Sequence, residues 1–451
     1  MIFVKRRLLF WLVRAYLKRW GKIILICFLI GLGIFFVLKS SFPYIIAAFT
    51  GVSKETDGMV GVYTLSSLPP NVTADISEGL TTIDQSGLPH PGIAASWDVL
   101  NSGKEYIFHL KHNLTFVDGS PVTSQSISYS FAGVTVEKPD LYTIIFKLQD
   151  SYSPFLVTVS RPIFKEGYIG LGPYRIKKVD SNGPFLQSLT LTSNTQNPAL
   201  KIYNFYPTED SLKVAYALGE VTKALNVSDL SFENTSFAKF PHIHIVKSTN
   251  YSLLVTLFYN TQDKDLSDKR VRDALSYAMP NTFSEGERAN TSIPPTSFAF
   301  NDAITRPQDY THAKILLDAA WGSNSASYPT LTITTFPKYE AVALQIQKAW
   351  KKLGINTNVQ VVDTLPQVFQ MYLGDFTVPQ DPDQYTLWHS DQENNITNFK
   401  NTRIDKLLED GRKTTDITKR ISLYQDFQKY LQDEQPASFL FFPYNYTLSR
   451  N

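Results

Sequence analysis

The sequence predicts a mixed α/β protein that follows one N-terminal transmembrane helix. Three patterns predict it: an uncharged apolar run over Ile23–Leu38, segments in which apolar and polar residues alternate, and segments in which apolar residues recur every three or four positions. Alternation is typical of half-buried strands, and the longer spacing is typical of amphipathic helices. Of the 451 residues, 43% are hydrophobic and 13% aromatic. This composition excludes a disordered chain, which lacks the apolar surface that folding requires.

Charge and hydropathy together predict the N-terminal helix. Residues 1–54 contain nine Lys or Arg and no Asp or Glu, and seven of the nine precede Ile23. As a helix, Ile23–Leu38 would be about 24 Å long, and the uncharged residues after Lys39 make up the difference from the roughly 30 Å hydrocarbon core. Because basic flanks remain in the cytoplasm, the N-terminus is expected there and the bulk of the chain outside. We expect a basic cytoplasmic segment (1–22), a transmembrane anchor (23–41) that contacts the lipid bilayer through Ile23–Leu38, and a linker (42–54).

A cleaved signal peptide is the alternative to a retained anchor. Signal peptides end in a small-residue cleavage site, and Ala47-Ala48-Phe49 is a poor match to one. Cys27, the single cysteine, follows large apolar residues instead of the small ones of a lipoprotein signal. The sequence therefore favours a single-pass protein of the plasma (inner) membrane, with its C-terminal region periplasmic or extracellular.

Beyond residue 54, strands predominate from 100 to 200, and strands alternate with helices from about 208. Ser267 or Asp268 is positioned to cap one helix, and Gly354 to end another in a left-handed conformation. The strands are predicted at Tyr106–Leu110, Tyr142–Leu148, Leu253–Tyr259, Leu331–Thr335 and Val359–Val362. The helices are predicted at Val271–Ala278, Val342–Leu353 and Ile421–Leu431.

The sequence shows no arrangement typical of catalysis or metal binding. It has no Gly-x-Ser-x-Gly, phosphate-binding loop or His-Glu-x-x-His motif. His242 and His244 share a face of a predicted strand, but no third ligand lies near them in sequence. The residues after 54 include 34 basic and 41 acidic side chains, a net charge of −7 that gives nucleic-acid binding no electrostatic basis. We expect no enzyme activity, no metal, no cofactor and no nucleic-acid partner.

A series of motifs in fixed order carries a more specific signal. The chain resembles the family 5 extracellular solute-binding proteins, the oligopeptide, dipeptide and nickel receptors of ABC importers. The resemblance extends over about residues 60–445. It rests on Pro91-Gly92-Ile93-Ala94-Ala95-Ser96-Trp97, Gly103-Lys104-Glu105-Tyr106-Ile107-Phe108-His109-Leu110, Phe116-Val117-Asp118-Gly119-Ser120-Pro121-Val122-Thr123, Leu171-Gly172-Pro173-Tyr174, Arg270-Val271-Arg272-Asp273-Ala274-Leu275, Asp381-Pro382-Asp383 and Arg420-x-x-Leu423-Tyr424.

The resemblance implies the two-lobed periplasmic-binding-protein fold of the large peptide-receptor type, with an extra strand-rich subdomain. It also implies lobes that close over the ligand in a hinge motion. Most of the matched residues, including Trp97, Tyr106 and the Asp118-Gly119 turn, are expected to be structural. The lobes are expected at 55–258 for lobe I, with its subdomain at about 100–200, at 262–430 for lobe II, and at 431–451 for a return to lobe I.

The same resemblance points to a ligand site near the Asp-Pro-Asp motif. Asp381 and Asp383 are the candidate polar contacts, and Tyr385 and Trp388 the candidate apolar walls. In peptide-binding relatives, an aspartate about three residues before this motif meets the ligand's α-amino group, but Val378 stands there in this chain. A peptide with a free amino group is therefore in doubt unless Asp381 or Asp375 replaces that carboxylate.

Two functions follow from these features. The first is a membrane-anchored receptor that delivers a small ligand, a peptide by preference, to an ABC permease in the same membrane. The second is an interaction or scaffold protein that keeps the receptor fold but carries a modified or plugged cleft. Val378 and the high Phe and Tyr content favour the second reading.

Overall fold

One mixed sheet of twelve strands organises the described part of the chain. The computed structural model describes residues 53–195, 199–324 and 328–450, together with scattered helical positions between Phe10 and Phe36. The strands are β1 (Lys54–Val60), β2 (Thr81–Ile83), β3 (Pro89–Pro91), β4 (Ala94–Leu100), β5 (Glu105–Leu110), β6 (Val134–Asp140), β7 (Thr143–Leu148), β8 (Tyr174–Asn182), β9 (Phe185–Ser193), β10 (Leu200–Tyr206), β11 (Lys223–Val227), β12 (Ser231–Phe232), β13 (Thr235–Ser236), β14 (Ile243–Thr249), β15 (Leu253–Tyr259), β16 (Gly286–Arg288), β17 (Leu331–Thr335), β18 (Thr357–Val361), β19 (Met371–Thr377) and β20 (Ala437–Arg450).

The α-helices lie mainly in the second half of the chain. Side-chain caps fix where several of them begin, as at α4, where the Asp268 carboxylate accepts a hydrogen bond from the Arg270 amide. The helices are α1 (Pro70–Ile76), α2 (Phe155–Thr158), α3 (Glu209–Leu218), α4 (Lys269–Tyr277), α5 (Tyr310–Trp321), α6 (Glu340–Lys351), α7 (Tyr385–Trp388), α8 (Thr402–Lys413) and α9 (Ile417–Glu434).

The long strand β20 divides the sheet into two halves. Its first residues pair with β15 and β16, and its last residues pair with β14 and β11. β14 and β15 are joined by residues 250–252, beside the point where β20 passes between the halves, and the Asn250 amide donates there to the Pro443 carbonyl (2.8 Å). We call residues 53–249 and 444–450 the first lobe, and residues 253–443 the second lobe. The predicted lobe boundary at 258–262 would instead place β15 in the first lobe.

The first lobe contains strands β8, β9, β10, β1 and β11, with β20 and β14 at one side. β1 lies parallel to both β10 and β11, and α3 links β10 to β11. A separate antiparallel sheet, β4-β5-β7-β6, carries its own aromatic core. We use the name strand-rich subdomain for this sheet and its core. β8 and β9, which fall within the expected 100–200 range, extend the large sheet instead.

The second lobe buries both faces of its half of the sheet. The order β18-β17-β19-β15-β20 mixes parallel and antiparallel pairs. Along β15, Val255 and Leu257 pack with helices α4, α5 and α6, whereas Leu254 and Phe258 pack with α7, α8 and α9. The strict alternation along a strand explains how one segment supports two cores.

Among the residues that the structure describes, no helix has the length and apolar character needed to cross a membrane. Several positions of the expected 23–41 anchor, and all of 42–52, lie outside the described residues.

Candidate functional site

A cavity of about 410 Å³ lies where the strand-rich subdomain faces the second lobe. The first lobe contributes Trp97, Tyr106 and Val157 to its walls, and the second lobe contributes Phe298 and Ile417. We call this space the interlobe cavity. Its remaining lining residues are Gly87, Leu88, Pro89, His90, Val99, Ser153, Leu156, Asp381, Thr415 and Arg420. The walls are thus largely apolar, with few polar groups.

Direct contacts between the lobes border the cavity. The Ser86 carbonyl accepts a hydrogen bond from the Phe298 amide (2.9 Å). Elsewhere at this border the Ser153 hydroxyl donates to the Thr414 carbonyl (2.7 Å) and the Ser153 amide to the Arg412 carbonyl (2.8 Å). The two lobes are therefore closed against each other in this structure, and the cavity is the space that they leave.

Asp381 is the predicted site residue that lines the interlobe cavity, and it is held by a buried arginine. Its two oxygens accept from Nη1 and Nη2 of Arg420 at 3.0 and 2.7 Å, and both side chains are more than nine-tenths buried. Burial acts to lower the pKa of Arg420, but the charge and hydrogen bonds of Asp381 outweigh it and raise that pKa above its ordinary value. The pair is arranged as a two-bond fork, the strongest geometry for such ions.

Asp383 and Tyr385 lie next to the cavity but do not line it. The Asp383 carboxylate accepts from Nε of Arg412 (2.9 Å), and burial raises the pKa of Asp383 although Arg412 opposes that rise. The Arg412 guanidinium lies 4.1 Å from the centre of the Tyr385 ring, which also stacks on His389. The Asp383 carboxylate and the Tyr385 ring, both predicted to contact a ligand, therefore contact protein groups here.

Trp388 lies in the core of the second lobe. It is 2% exposed, it packs against Phe258 and Phe439, and its indole N–H donates to Oε1 of Gln384 (3.0 Å). In this position it supports the Asp-Pro-Asp segment from behind.

A smaller cavity of about 150 Å³ adjoins the first at Gly87 and contains the Val378 position. Val378 is buried, and its amide donates to the Ser252 carbonyl (2.9 Å). Asp84 lines this smaller cavity too, and hydrogen bonds from Ser86 and His90 hold the pKa of Asp84 below its ordinary value.

The other aspartate named as a replacement, Asp375, has its own partners in the second lobe. Tyr339 donates a hydrogen bond to its carboxylate, and the Lys338 ammonium lies 3.4 Å away. Both Asp375 and Asp381 are therefore committed to contacts within the protein.

Nothing in the sequence marks several of the cavity residues as members of a binding site. Arg420 and Trp97 belong to motifs that identify the fold, yet in the structure both also line the cavity. Phe298 lies in a segment without regular structure that reaches the cavity through its contact with Ser86. Its role depends on the approach of two segments more than 200 positions apart. Within the described residues, no cluster of three or more His, Cys, Asp or Glu side chains is arranged to hold a metal ion.

Comparisons with known proteins place this geometry in context. The family model described as bacterial extracellular solute-binding proteins, family 5 Middle, matches residues 89–398. The chain is 24% identical over 425 residues to the probable D,D-dipeptide-binding periplasmic protein DdpA of Escherichia coli, with 80% of each chain covered.

Solved structures share the fold. The ABC transporter substrate-binding protein CtaP from Listeria monocytogenes superposes with a TM-score of 0.73 at 19% identity, over 88% of this chain and 94% of its own. The oligopeptide-binding protein AppA from Bacillus subtilis, in complex with a nonapeptide, superposes with a TM-score of 0.64 at 19% identity, over 89% of this chain and 95% of its own. These likenesses show that the chain shares its overall fold with both proteins.

Proposed function

Because the chain belongs to the bacterial extracellular solute-binding proteins of family 5, we propose that it binds a small solute outside the cytoplasm and delivers it to an ABC importer. Two relatives agree with a peptide as that solute: DdpA is described as a probable D,D-dipeptide-binding protein, and AppA was solved with a nonapeptide. The proposed partner is therefore a permease in the same membrane.

The observation that carries this proposal is the interlobe cavity. Its volume of about 410 Å³ falls in the range of small-molecule sites, about 300–1,000 Å³, and both lobes supply its walls. A ligand held there would contact both lobes at once and would therefore stabilise the closed arrangement over an open one. Transfer to a permease then requires only that the lobes separate.

The cavity favours a ligand with apolar groups. Trp97, Tyr106 and Phe298 offer flat surfaces, while Asp381 is neutralised by its contact with Arg420. A free ammonium would find no unpaired carboxylate in these walls, and burying an unpaired charge is costly. We propose that the ligand is a short apolar peptide whose amino group is blocked or remains outside the cavity. In this reading Asp383, Tyr385 and Trp388 position the Asp381 segment.

Ligand-dependent stabilisation of the full chain in detergent tests the proposal. N-acetylated trileucine is expected to raise the unfolding temperature at least as much as trileucine does. Any ligand present at 100 times its Kd adds about 2.7 kcal/mol to the free energy of unfolding. Val157→Trp places a ring in the cavity and should abolish the shift, whereas Val179→Trp adds the same ring at an exposed site of β8 and should preserve it. Equal shifts in both variants would contradict binding in this cavity.

We also propose that the N-terminal segment anchors the protein in the plasma (inner) membrane as a single pass. The described helical positions of this segment expose Ile23, Phe28 and Leu32 by 43–61%, so about half of the surface of these apolar residues is left uncovered. Seven basic residues before Ile23 favour a cytoplasmic N-terminus. The full chain should remain in the membrane pellet after extraction at alkaline pH, and its release into the supernatant would contradict the anchor.

A scaffold role is the second candidate, and the direct contacts between the lobes favour it. The Ser86–Phe298 and Ser153–Thr414 hydrogen bonds hold the cleft closed with protein groups alone. A scaffold would show no stabilisation by any peptide and no small molecule on native mass spectrometry of the purified chain. A receptor that retains its ligand would show the bound mass.

A further inference from the structure

A third cavity, of about 290 Å³, is lined by residues of the second lobe alone. Arg288, Asn290 and Arg306 line it, and exposed Asn281 and Thr305 lie at its mouth together with Pro307. We call it the arginine cavity. It shares no lining residue with the interlobe cavity.

Arg306 is buried with part of its hydrogen-bonding capacity unused. Its side chain is 10% exposed, and its Nε has no hydrogen-bond partner. Nη2 donates to Oε1 of Gln435 (3.0 Å) and to the Gln432 carbonyl (3.2 Å). Its nearest carboxylate oxygen, on Asp273, is 3.6 Å away and has no hydrogen-bond partner either. A buried N–H without a partner is costly, so a shift of Arg306 that presents this N–H to an acceptor in the cavity would be stabilising.

Arg288 adds a second positive charge that no described carboxylate approaches within 4 Å. Its Nη1 donates to the carbonyls of Ala289, Phe439 and Leu440, which are neutral groups. Burial, and then the charge of Arg306, lower the pKa of Arg288 to about 10. The two guanidinium groups therefore oppose each other, and an anion between them would relieve that repulsion.

Arg272 shows how this fold satisfies a buried arginine that is purely structural. Its guanidinium donates from all three nitrogens to four main-chain carbonyls, at 2.7–2.9 Å. Each of these nitrogens has a partner, and Arg272 does not line the arginine cavity. Arg306 lies close to the same C-terminal end of α9 and stacks 4.3 Å from the centre of the Tyr277 ring, but unlike Arg272 it lines an open cavity and leaves its Nε without a partner.

We propose that the arginine cavity binds a phosphate group, either as inorganic phosphate or on a small phosphorylated solute. Two guanidinium groups supply the charge, and the amides of Asn281 and Asn290 with the Thr305 hydroxyl supply neutral donors around it. A carboxylate has two oxygens in one plane, whereas phosphate offers oxygens in several directions to a set of donors on different walls. The volume also leaves room for an organic group attached to the phosphate.

Titration calorimetry of the full chain in detergent tests this site, with chloride replaced by phosphate at constant ionic strength. Inorganic phosphate and glycerol 3-phosphate are the two phosphate probes, and succinate is the carboxylate control. Tighter binding of glycerol 3-phosphate than of inorganic phosphate would identify a phosphorylated solute as the ligand. Arg306→Gln should weaken phosphate binding by about 10- to 100-fold, the loss expected for charged hydrogen bonds. Arg403→Gln, a change on the exposed helix face next to Tyr430, should have no effect.

A second pair of variants keeps the test decisive if Arg306→Gln does not fold. Thr305→Asp adds a negative charge at the exposed mouth and should abolish phosphate binding, while Thr305→Asn should retain it. Val157→Trp fills the interlobe cavity and should leave phosphate binding unchanged, which separates this site from the peptide site. Absence of phosphate binding at millimolar concentration, equal binding in Thr305→Asp, or tighter binding of succinate than of phosphate would each overturn the proposal.

Discussion

Asp381 combines a place in the wall of the interlobe cavity with a role in stability. Its fork with Arg420 removes two charges from water, and each charge depends on the other for compensation. Arg420 also donates from Nε to the Gly411 carbonyl (3.0 Å), which ties helix α9 to the end of α8. Loss of the carboxylate would therefore leave a buried, uncompensated guanidinium, the costly half of a broken pair.

We expect Asp381→Asn to lower the free energy of unfolding by about 3–5 kcal/mol. Asp383→Asn is the matched control because its partner Arg412 is 26% exposed and can turn to water, so its loss should be clearly smaller. Urea unfolding of both variants measures the difference. Equal losses would mean that the burial of Arg420 does not determine the cost.

The sequence predicts residue types better than it predicts their surroundings. Tyr106 and Phe108 are buried as predicted, and Asp268 caps α4 as predicted. Arg272 belongs to a motif rich in charged residues, yet it is 3% exposed. Its partners come from Leu266–Ser267 and from Glu434–Gln435, about 160 residues later, and no local pattern records such a contact. The ligand-contact roles of Asp383, Tyr385 and Trp388 stay predictions.

The central strand β1 carries a buried carboxylate that should make stability depend on pH. Asp57 is 4% exposed, and its Oδ1 has no hydrogen-bond partner. Burial and the charge of Glu55 raise the pKa of Asp57 to about 6, while Lys223 and Lys201 act in the opposite direction and Asp75 adds a further small rise. The unfolded chain retains a pKa near 3.9, so the folded state binds this proton more tightly.

Linkage then gives the sign of the effect. The stabilisation from protonated Asp57 is fully present below about pH 4 and is lost as the pH rises through about 6, at a cost of about 2 kcal/mol. Asp57→Asn should therefore be more stable than the parent chain at pH 8 but not at pH 4, as measured by urea unfolding across this range. Asp180→Asn on β8 is the control. Hydrogen bonds from Lys178 and Ser188 lower the pKa of Asp180, so this substitution should change the pH dependence of stability in the opposite direction to Asp57→Asn. A parallel pH profile for Asp57→Asn and the parent would refute this assignment.

Periodic segments were the most predictable elements. The alternation in Leu253–Tyr259 reproduces β15 to the residue, and the helical spacing in Val342–Leu353 corresponds to α6 with Gly354 left-handed after it. β20 was not predicted as one strand because it serves two lobes, so its apolar residues change sides at a bulge between its pairings with Val255 and Thr256. The course of β20 is set by its pairing with strands that are distant from it in the sequence.

The two lobes are connected by the β14–β15 segment and by β20, and this arrangement permits closure without breaking either core. The order of family motifs predicts the lobes because each motif marks a turn or a packing position within one lobe. The closed contact does not follow from the motifs, since it joins the segment at Gly87 to Gln380 across the cleft. Such an approach leaves only one trace in the sequence, a glycine where a side chain would collide.

Gly87 offers a direct test of closure. Its φ of +89° is a conformation that glycine adopts easily, and a Cβ on it would lie 2.4 Å from the Gln380 carbonyl oxygen. Gly87→Ala should therefore push the lobes apart, increase the radius of gyration measured by small-angle X-ray scattering, and weaken peptide-dependent stabilisation. The collision is with backbone, so no side-chain rotation can relieve it.

Gly119→Ala separates this effect from backbone strain. Gly119 has a similar φ of +83° in the strand-rich subdomain, but a Cβ there would meet nothing within 4 Å. Both variants should lose about 1 kcal/mol of stability through the left-handed alanine, and only Gly87→Ala should change the radius of gyration and the ligand response. If both variants keep the parent radius and respond equally to N-acetylated trileucine, contact at Gly87 does not govern closure, and the ligand is held without the approach of the two lobes.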